Sequence, residues 1–106
     1  MNNTEKEILA QIKKIVKEKD PSAKIYLYGS RSRGGAKSES DWDILILLNR
    51  NEISIDLERE ITYPLYDLEF ETGEIISPML YTENDWNTKY SVTQFYKNVM
   101  REGKML

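Results

Sequence analysis

Cysteine and histidine are both absent from the sequence. The first absence excludes disulfides and thiolate metal sites, and the second excludes imidazole acid-base catalysis and zinc sites of the usual kind. Carboxylates must do any metal binding. No apolar run approaches the roughly 20 residues that a membrane-spanning helix needs. The N-terminus, Met1 to Lys6, is polar and leads into an amphipathic segment, so it lacks the apolar core of a signal peptide. A cytoplasmic protein is expected. With 40% hydrophobic and 31% charged residues the composition is that of a soluble globular chain, and 106 residues fit one compact domain, 1–106, around a single core. No internal repeat, low-complexity tract or linker interrupts it. The net charge of −3 argues against a surface devoted to nucleic acid and leaves room for a local basic patch. Basic residues gather in two places. Those from Lys13 to Lys24 read as a solvated helix face, whereas those from Arg31 to Lys37 lie in a glycine-bearing loop.

From Thr4 to about Lys19, Ile8, Leu9, Ile12, Ile15 and Val16 recur at helical spacing. Thr4 and Glu7 form a capping-box pattern at the start, and Asp20-Pro21 stops the helix. Ala23 to Tyr28 reads as a strand ended by Gly29, and Trp42 to Leu48, almost wholly apolar, as a strand buried on both faces. The stretch from Ser54 or Asp56 to Thr72 has Leu57, Ile61, Leu65 and Leu68 at helical spacing with Gly73 as C-terminal cap, which favours a helix that Pro64 would kink or split. The competing reading makes 65–70 a strand with Asp67 and Glu69 on one face. Glu74 to Thr82 reads as a strand, and Pro78 within it suggests an edge position or a bulge. Asn84-Asp85-Trp86 begins a short helical turn. A last helix carries Phe95, Tyr96, Val99 and Met100 and ends at Gly103, its aromatics serving core packing or partner contact.

The stretch from Gly29 to Asp43 carries the chemistry. In a strand, residues two apart share a face and lie roughly 6.5–7 Å apart, so Asp41 and Asp43 point the same way with Trp42 opposite. Their carboxylates can converge on one or two magnesium ions, and two ions roughly 3.5–4 Å apart can clamp the attacking and leaving oxygens of an in-line displacement at phosphorus. The Gly29-Ser30 turn supplies backbone N–H groups and a hydroxyl suited to phosphate oxygens, and Arg31 and Arg33 can neutralise remaining charge. Taken singly, a Gly-Ser turn is usually only a turn, Asp-x-Asp a solvated strand end, and the basic residues a solvated cluster. Together they carry more weight. The aspartates open a strand that is otherwise apolar on both faces, where an uncompensated charge pair is costly and a bound cation would offset it. Gly34-Gly35 is not followed directly by Lys-Ser or Lys-Thr, and no Gly-x-Gly-x-x-Gly is present, which disfavours P-loop and dinucleotide-binding chemistry.

Gly29-Ser30, ten intervening residues, then Asp41-Trp42-Asp43 followed by Ile44-Leu45-Ile46 resembles the signature of the DNA polymerase β-like nucleotidyltransferase superfamily, and the short chain resembles its minimal nucleotidyltransferase branch. The resemblance implies an α/β (α+β) fold, with a short mixed sheet of about three or four strands flanked by helices. It implies that Gly29 and Ser30 hold the triphosphate and that Asp41 and Asp43 are catalytic ligands of magnesium; the charge of Arg31 and Arg33 makes them nucleotide-binding candidates beside that turn. The transferred group would be a nucleoside monophosphate, most often AMP from ATP, with pyrophosphate leaving. Active members usually carry a third carboxylate on a later strand. Asp67, Glu69 and Glu74 are the candidates here, and each also reads as a solvated charge.

Minimal nucleotidyltransferases are commonly paired with a small helical HEPN-type protein, as antitoxin to toxin, and some AMPylate that partner. The resemblance therefore implies transfer to a hydroxyl of a protein partner. The alternative is an inactive module of the same fold that neutralises a partner by contact. Transfer to a small molecule and nucleic-acid polymerisation are disfavoured by the lack of an acceptor domain and by the charge. Nucleotide preference, acceptor identity and homo-oligomer formation are left open.

Overall fold

The computed structural model describes residues 3–32 and 41–106, Asn3 and Thr4 by backbone alone. Arg33, Lys37 and the glycine pair of the loop lie outside the described residues, as does the Thr4 side chain invoked for the capping box. The first helix, α1, runs Asn3–Lys19 and buries Ile8, Ile12 and Val16, the residues that its periodicity aligns. Its end is built by Asp20. The Asp20 N–H donates to the Val16 carbonyl at 3.0 Å, Oδ1 accepts from the Ser22 N–H and hydroxyl, and Oδ2 pairs with Arg50 at 3.2 Å.

Four strands follow in a mixed sheet. Strands β1 (Lys24–Tyr28) and β2 (Trp42–Leu48) are antiparallel, and β3 (Ile76–Thr82) lies parallel to β2. The short strand β4 (Lys104–Met105) returns antiparallel beside β1, giving the order β3-β2-β1-β4. The expected mixed sheet is present, and β3 is an edge strand as Pro78 suggested, since proline has no N–H to donate to a further strand. β4 has no counterpart in the sequence reading, because two residues are too short to show alternation.

Between β2 and β3 runs α2 (Ile55–Thr72), an unbroken helix with Pro64 inside it. The split that Pro64 suggested does not occur, and the strand alternative for 65–70 falls with it. The caps explain its bounds: Ser54 accepts from the Leu57 N–H at 3.1 Å, and Gly73, at φ 75°, donates to the Glu69 carbonyl at 2.9 Å. Two short helices, α3 (Glu83–Asn87) and α4 (Gln94–Glu102), complete the chain before β4.

The sheet divides the core in two. On one face α1 and α2 pack over Ile25, Leu27, Trp42, Ile44, Ile46, Leu48 and Ile76. On the other, α3 and α4 cover Leu45 and Leu47 through Trp86, Phe95, Tyr96 and Val99, with the Trp86 ring 5.0 Å from Tyr96 and 5.5 Å from Phe95. The aromatics of the last helix are thus core residues. Burial of β2 on both faces follows from this arrangement, five of its seven residues from Ile44 onward being fully covered.

Candidate functional site

Strand alternation decides which side chains meet. Trp42 belongs to the α1/α2 face, so Asp43 and Asp41 project on the other, the face of Leu45 and Leu47. Asp41 is exposed at the strand's edge and Asp43 half-buried. In the sheet register Asp43 lies between Tyr28 of β1 and Ser77 of β3. The Ser77 hydroxyl donates to Asp41 Oδ2 at 3.4 Å. Burial, and after it the Asp41 charge, raises the Asp43 carboxyl above its ordinary value of 3.8. Tyr28 is pushed up to about 12, by burial first and then by Asp43 and Tyr81, so its phenol stays protonated. Among the described residues, no basic side chain pairs with Asp41 or Asp43.

The chain leaves β1 through Gly29. Its φ of 74° lies in the left-handed region, and a Cβ added there would collide with Asp43 Oδ2 and come within 3.2 Å of the carboxyl carbon. Glycine is required twice, by the backbone and by the carboxylate that lies against it. The turn is closed by the Ser32 N–H and hydroxyl, which donate to the Gly29 carbonyl at 3.2 and 2.8 Å. Ser30 is half-buried within that turn. Gly29, Ser30, Asp41 and Asp43 therefore come together at one end of the two central strands.

Arg31 goes elsewhere. Its side chain is 5% exposed, with Nη2 3.4 Å from Glu74 Oε2 and Nη1 3.6 Å from Glu5 Oε1. The guanidinium lies 4.0 Å over the Trp42 ring, and the Trp42 indole N–H donates to the same Glu74 oxygen at 3.2 Å. This cluster sits on the Trp42 side of β2 and ties the turn to α1 and to the segment before β3. Glu74 is thereby engaged away from the aspartates. Glu69 is engaged as well, its Oε1 accepting from the Ile76 N–H at 2.9 Å, and Asp67 is exposed on α2, which covers the opposite face of the sheet. Of the three candidates for a third carboxylate, none joins Asp41 and Asp43, and no cluster of three or more acids able to hold a metal occurs among the described residues. On the face that Asp43 uses, β3 offers Ser77.

Two side chains and a hollow of this neighbourhood escaped sequence reasoning. Ser77 and Tyr28 are set beside Asp43 by strand register, which a single strand's pattern does not reveal. A hollow of about 220 Å³ lies next to Gly29, lined by Tyr28, Phe95, Asn98, Val99 and Glu102. It exists only because α4 returns over β1.

Residues 9–97 match the family model described as a nucleotidyltransferase domain. The chain belongs to the nucleotidyltransferase domain family. Among curated relatives, "Putative protein adenylyltransferase MJ1379" of Methanocaldococcus jannaschii is 34% identical over 91 residues, covering 86% of this chain and 81% of that protein. A second protein of the same organism and designation, MJ0604, is 32% identical over 83 residues, covering 78% and 76%. Two solved structures share the fold. A chain of a toxin-antitoxin crystal structure with AMP-PNP superposes with TM-score 0.62 at 20% identity, covering 91% of this chain and 69% of that one. A chain of a mutant MntA-HpeT toxin-antitoxin structure superposes at 0.60 and 22% identity, covering 100% and 72%. The nucleotidyltransferase fold of these neighbours is the mixed four-stranded sheet with helices described above. Among the described residues, no helix is long and apolar enough to cross a membrane.

Proposed function

We propose that the chain is a magnesium-dependent adenylyltransferase that moves AMP from ATP onto a hydroxyl of a protein partner, acting in the cytoplasm as the antitoxin of a toxin-antitoxin pair whose toxin is a HEPN-type protein. The observation that carries this is the packing of Gly29 against the Asp43 carboxylate, with Asp41 on the same face: the turn for a phosphate and the acids for a cation share one end of the central strands. Two neighbouring carboxylates without a basic partner among the described residues, one of them with its proton affinity raised by burial and by the other, are a donor set that fits magnesium. When bound, the metal offsets the charge of the triphosphate and of the displaced pyrophosphate.

The residues of the chain then divide the work. Asp41 and Asp43 would hold the metal, and with it the nucleotide, at the end of the central strands. Backbone N–H groups of the Gly29-Ser30 turn and the Ser30 hydroxyl take phosphate oxygens, with Arg33 nearby in sequence. Arg31 serves as the anchor of the turn. Tyr28, Phe95 and Asn98 line the hollow for the nucleoside end. In the transfer the acceptor oxygen bonds to the α-phosphorus as the bond to the bridging oxygen breaks. Pyrophosphate leaves, and the acceptor's proton passes to solvent.

The test is transfer of label from ATP labelled at the α-phosphate. The purified chain, magnesium and the product of the neighbouring gene should yield a labelled partner, and Asp41→Asn or Asp43→Asn should lose the label by at least about 100-fold. A second reading, a binding module without transferase activity, is favoured by the serine that stands beside Asp43 where no described acid does. Partner binding that survives both substitutions, with no label transferred by the wild type, would replace the first reading with the second.

A further inference from the structure

Helix α2 is amphipathic twice over. At 100° per residue, Ile61, Leu65 and Leu68 point to the core, while Ile55, Arg59, Tyr63, Tyr66 and Phe70 fall within an arc of roughly 80° on the opposite side. This outer stripe is open: Ile55 is 65%, Tyr63 56%, Tyr66 46% and Phe70 91% exposed. From Ile55 to Phe70 it runs about 22 Å along the helix. Neither the sheet nor the carboxylate site needs these residues. An exposed phenylalanine in line with two exposed tyrosines is an apolar patch of the kind that marks an interaction surface.

The charge beside the stripe says what covers it. Asp56, Glu60, Asp67 and Glu71 form a row along one flank, and Glu58 and Glu69 lie on the other, with Arg59 the single basic residue of the helix. A second copy of the chain pairing through α2 would set acids against acids: the two rows fall on the same side when the helices are antiparallel, and each row faces the other flank's glutamates when they are parallel. A nucleic acid or an anionic membrane would meet the same repulsion.

We infer that the outer face of α2 is the docking surface for a protein partner that presents an apolar groove bordered by lysine and arginine. The aromatic residues anchor the contact, and the acidic row steers and registers it. This rests on the reading that the chain acts on a protein partner, and it places that contact on the helix face remote from Asp41 and Asp43. The partner is held from behind while its acceptor hydroxyl, or another copy's, reaches the opposite face of the sheet.

The experiment uses the full chain and the product of the neighbouring gene, co-expressed and then titrated by calorimetry. Tyr66→Ala/Phe70→Ala alters only exposed side chains, so folding, followed by circular dichroism, and magnesium-ATP binding should be unchanged. Affinity for the partner should fall by about 100-fold or more. Asp67→Asn/Glu71→Gln should slow association by about 10-fold at low salt, an effect that shrinks as salt rises. Amide exchange in α2 should slow in the complex. Unchanged affinity of the double alanine variant, with no protection in α2, overturns the docking surface and leaves the partner reading standing. Failure of the wild-type pair to associate removes the partner reading and this surface with it. A dimer of the chain alone that the alanine pair abolishes overturns the proposal in favour of a second copy.

Discussion

Replacing Gly29 with alanine, alone and together with Asp43→Ala, separates two constraints that meet at one backbone position. The φ of 74° costs an L-residue about 1–2 kcal/mol relative to glycine. The new Cβ also runs into Asp43 Oδ2 and comes within 3.2 Å of the carboxyl carbon, so the carboxylate has to turn out of the place it holds against the turn. Overpacking of this kind costs about 1–3 kcal/mol. Gly29→Ala should therefore destabilise the wild type by about 2–5 kcal/mol. In the Asp43→Ala background only the backbone cost remains, about 1–2 kcal/mol. Urea unfolding of the four proteins gives both values, and the coupling between the sites should be about 1–3 kcal/mol. The same cost in both backgrounds would refute the argument that Gly29 is needed to make room for the carboxylate. For a chain of this size, a loss of about 2 kcal/mol lowers the unfolding midpoint by roughly 8–16 °C.

Three further outcomes follow from the same geometry. The Asp43 carboxyl binds its proton more tightly in the folded chain than at its ordinary value of 3.8, so its contribution to stability is favourable below that pH and is lost as pH rises through the folded value. Asp43→Asn should accordingly raise the metal-free thermal midpoint at pH 7 while abolishing nucleotide transfer, and a lowered midpoint would contradict the charge argument. Asp20 has the opposite sign: burial pushes it up, but hydrogen bonds from the Ser22 hydroxyl, Arg50 and the Ser22 N–H, with the Arg50 charge, outweigh it and leave it below 3.8. Asp20→Ala should cost about 2 kcal/mol at pH 7, and its difference from wild type should narrow as pH falls below 3.8 through the folded value; a pH-independent difference in denaturation curves would count against the ionised hydrogen bonds. Ser77→Asp supplies a carboxylate on the strand beside Asp43, and should raise the rate of labelled-AMP transfer by about 10-fold or more while lowering metal-free stability. A folded variant with unchanged rate would show that the missing acid does not limit the reaction.

The elements were largely legible because local signals announced them. Ile8, Ile12 and Val16 repeat at the helical period, Ser54 and Gly73 mark both ends of α2, and the apolar run after Asp43 allowed no solvated face. Pro64 misled, since the remaining hydrogen bonds and the apolar seam of Ile61, Leu65 and Leu68 hold the helix through it. Arg31 shows the limit of reading a motif by proximity. Two residues from Gly29 in sequence, it is drawn to the far side of β2, where the Trp42 ring, Glu74 and Glu5 receive it.

What the sequence determined by itself was the period of each element and the pairing of Asp41 with Asp43 on one face, because alternation along a strand is a property of the backbone alone. Which residues share that face from other strands is a matter of register, and register depends on how the strands dock. Only the tertiary structure set Tyr28 and Ser77 abreast of Asp43, brought α4 over Gly29, and carried Asp67, Glu69 and Glu74 to the other side of the sheet. A carboxylate costs little to place anywhere on a solvated surface, so its position in sequence carries almost no information about the site it joins. The packing of two helices on one face of a four-stranded sheet decided that question for all three acids at once.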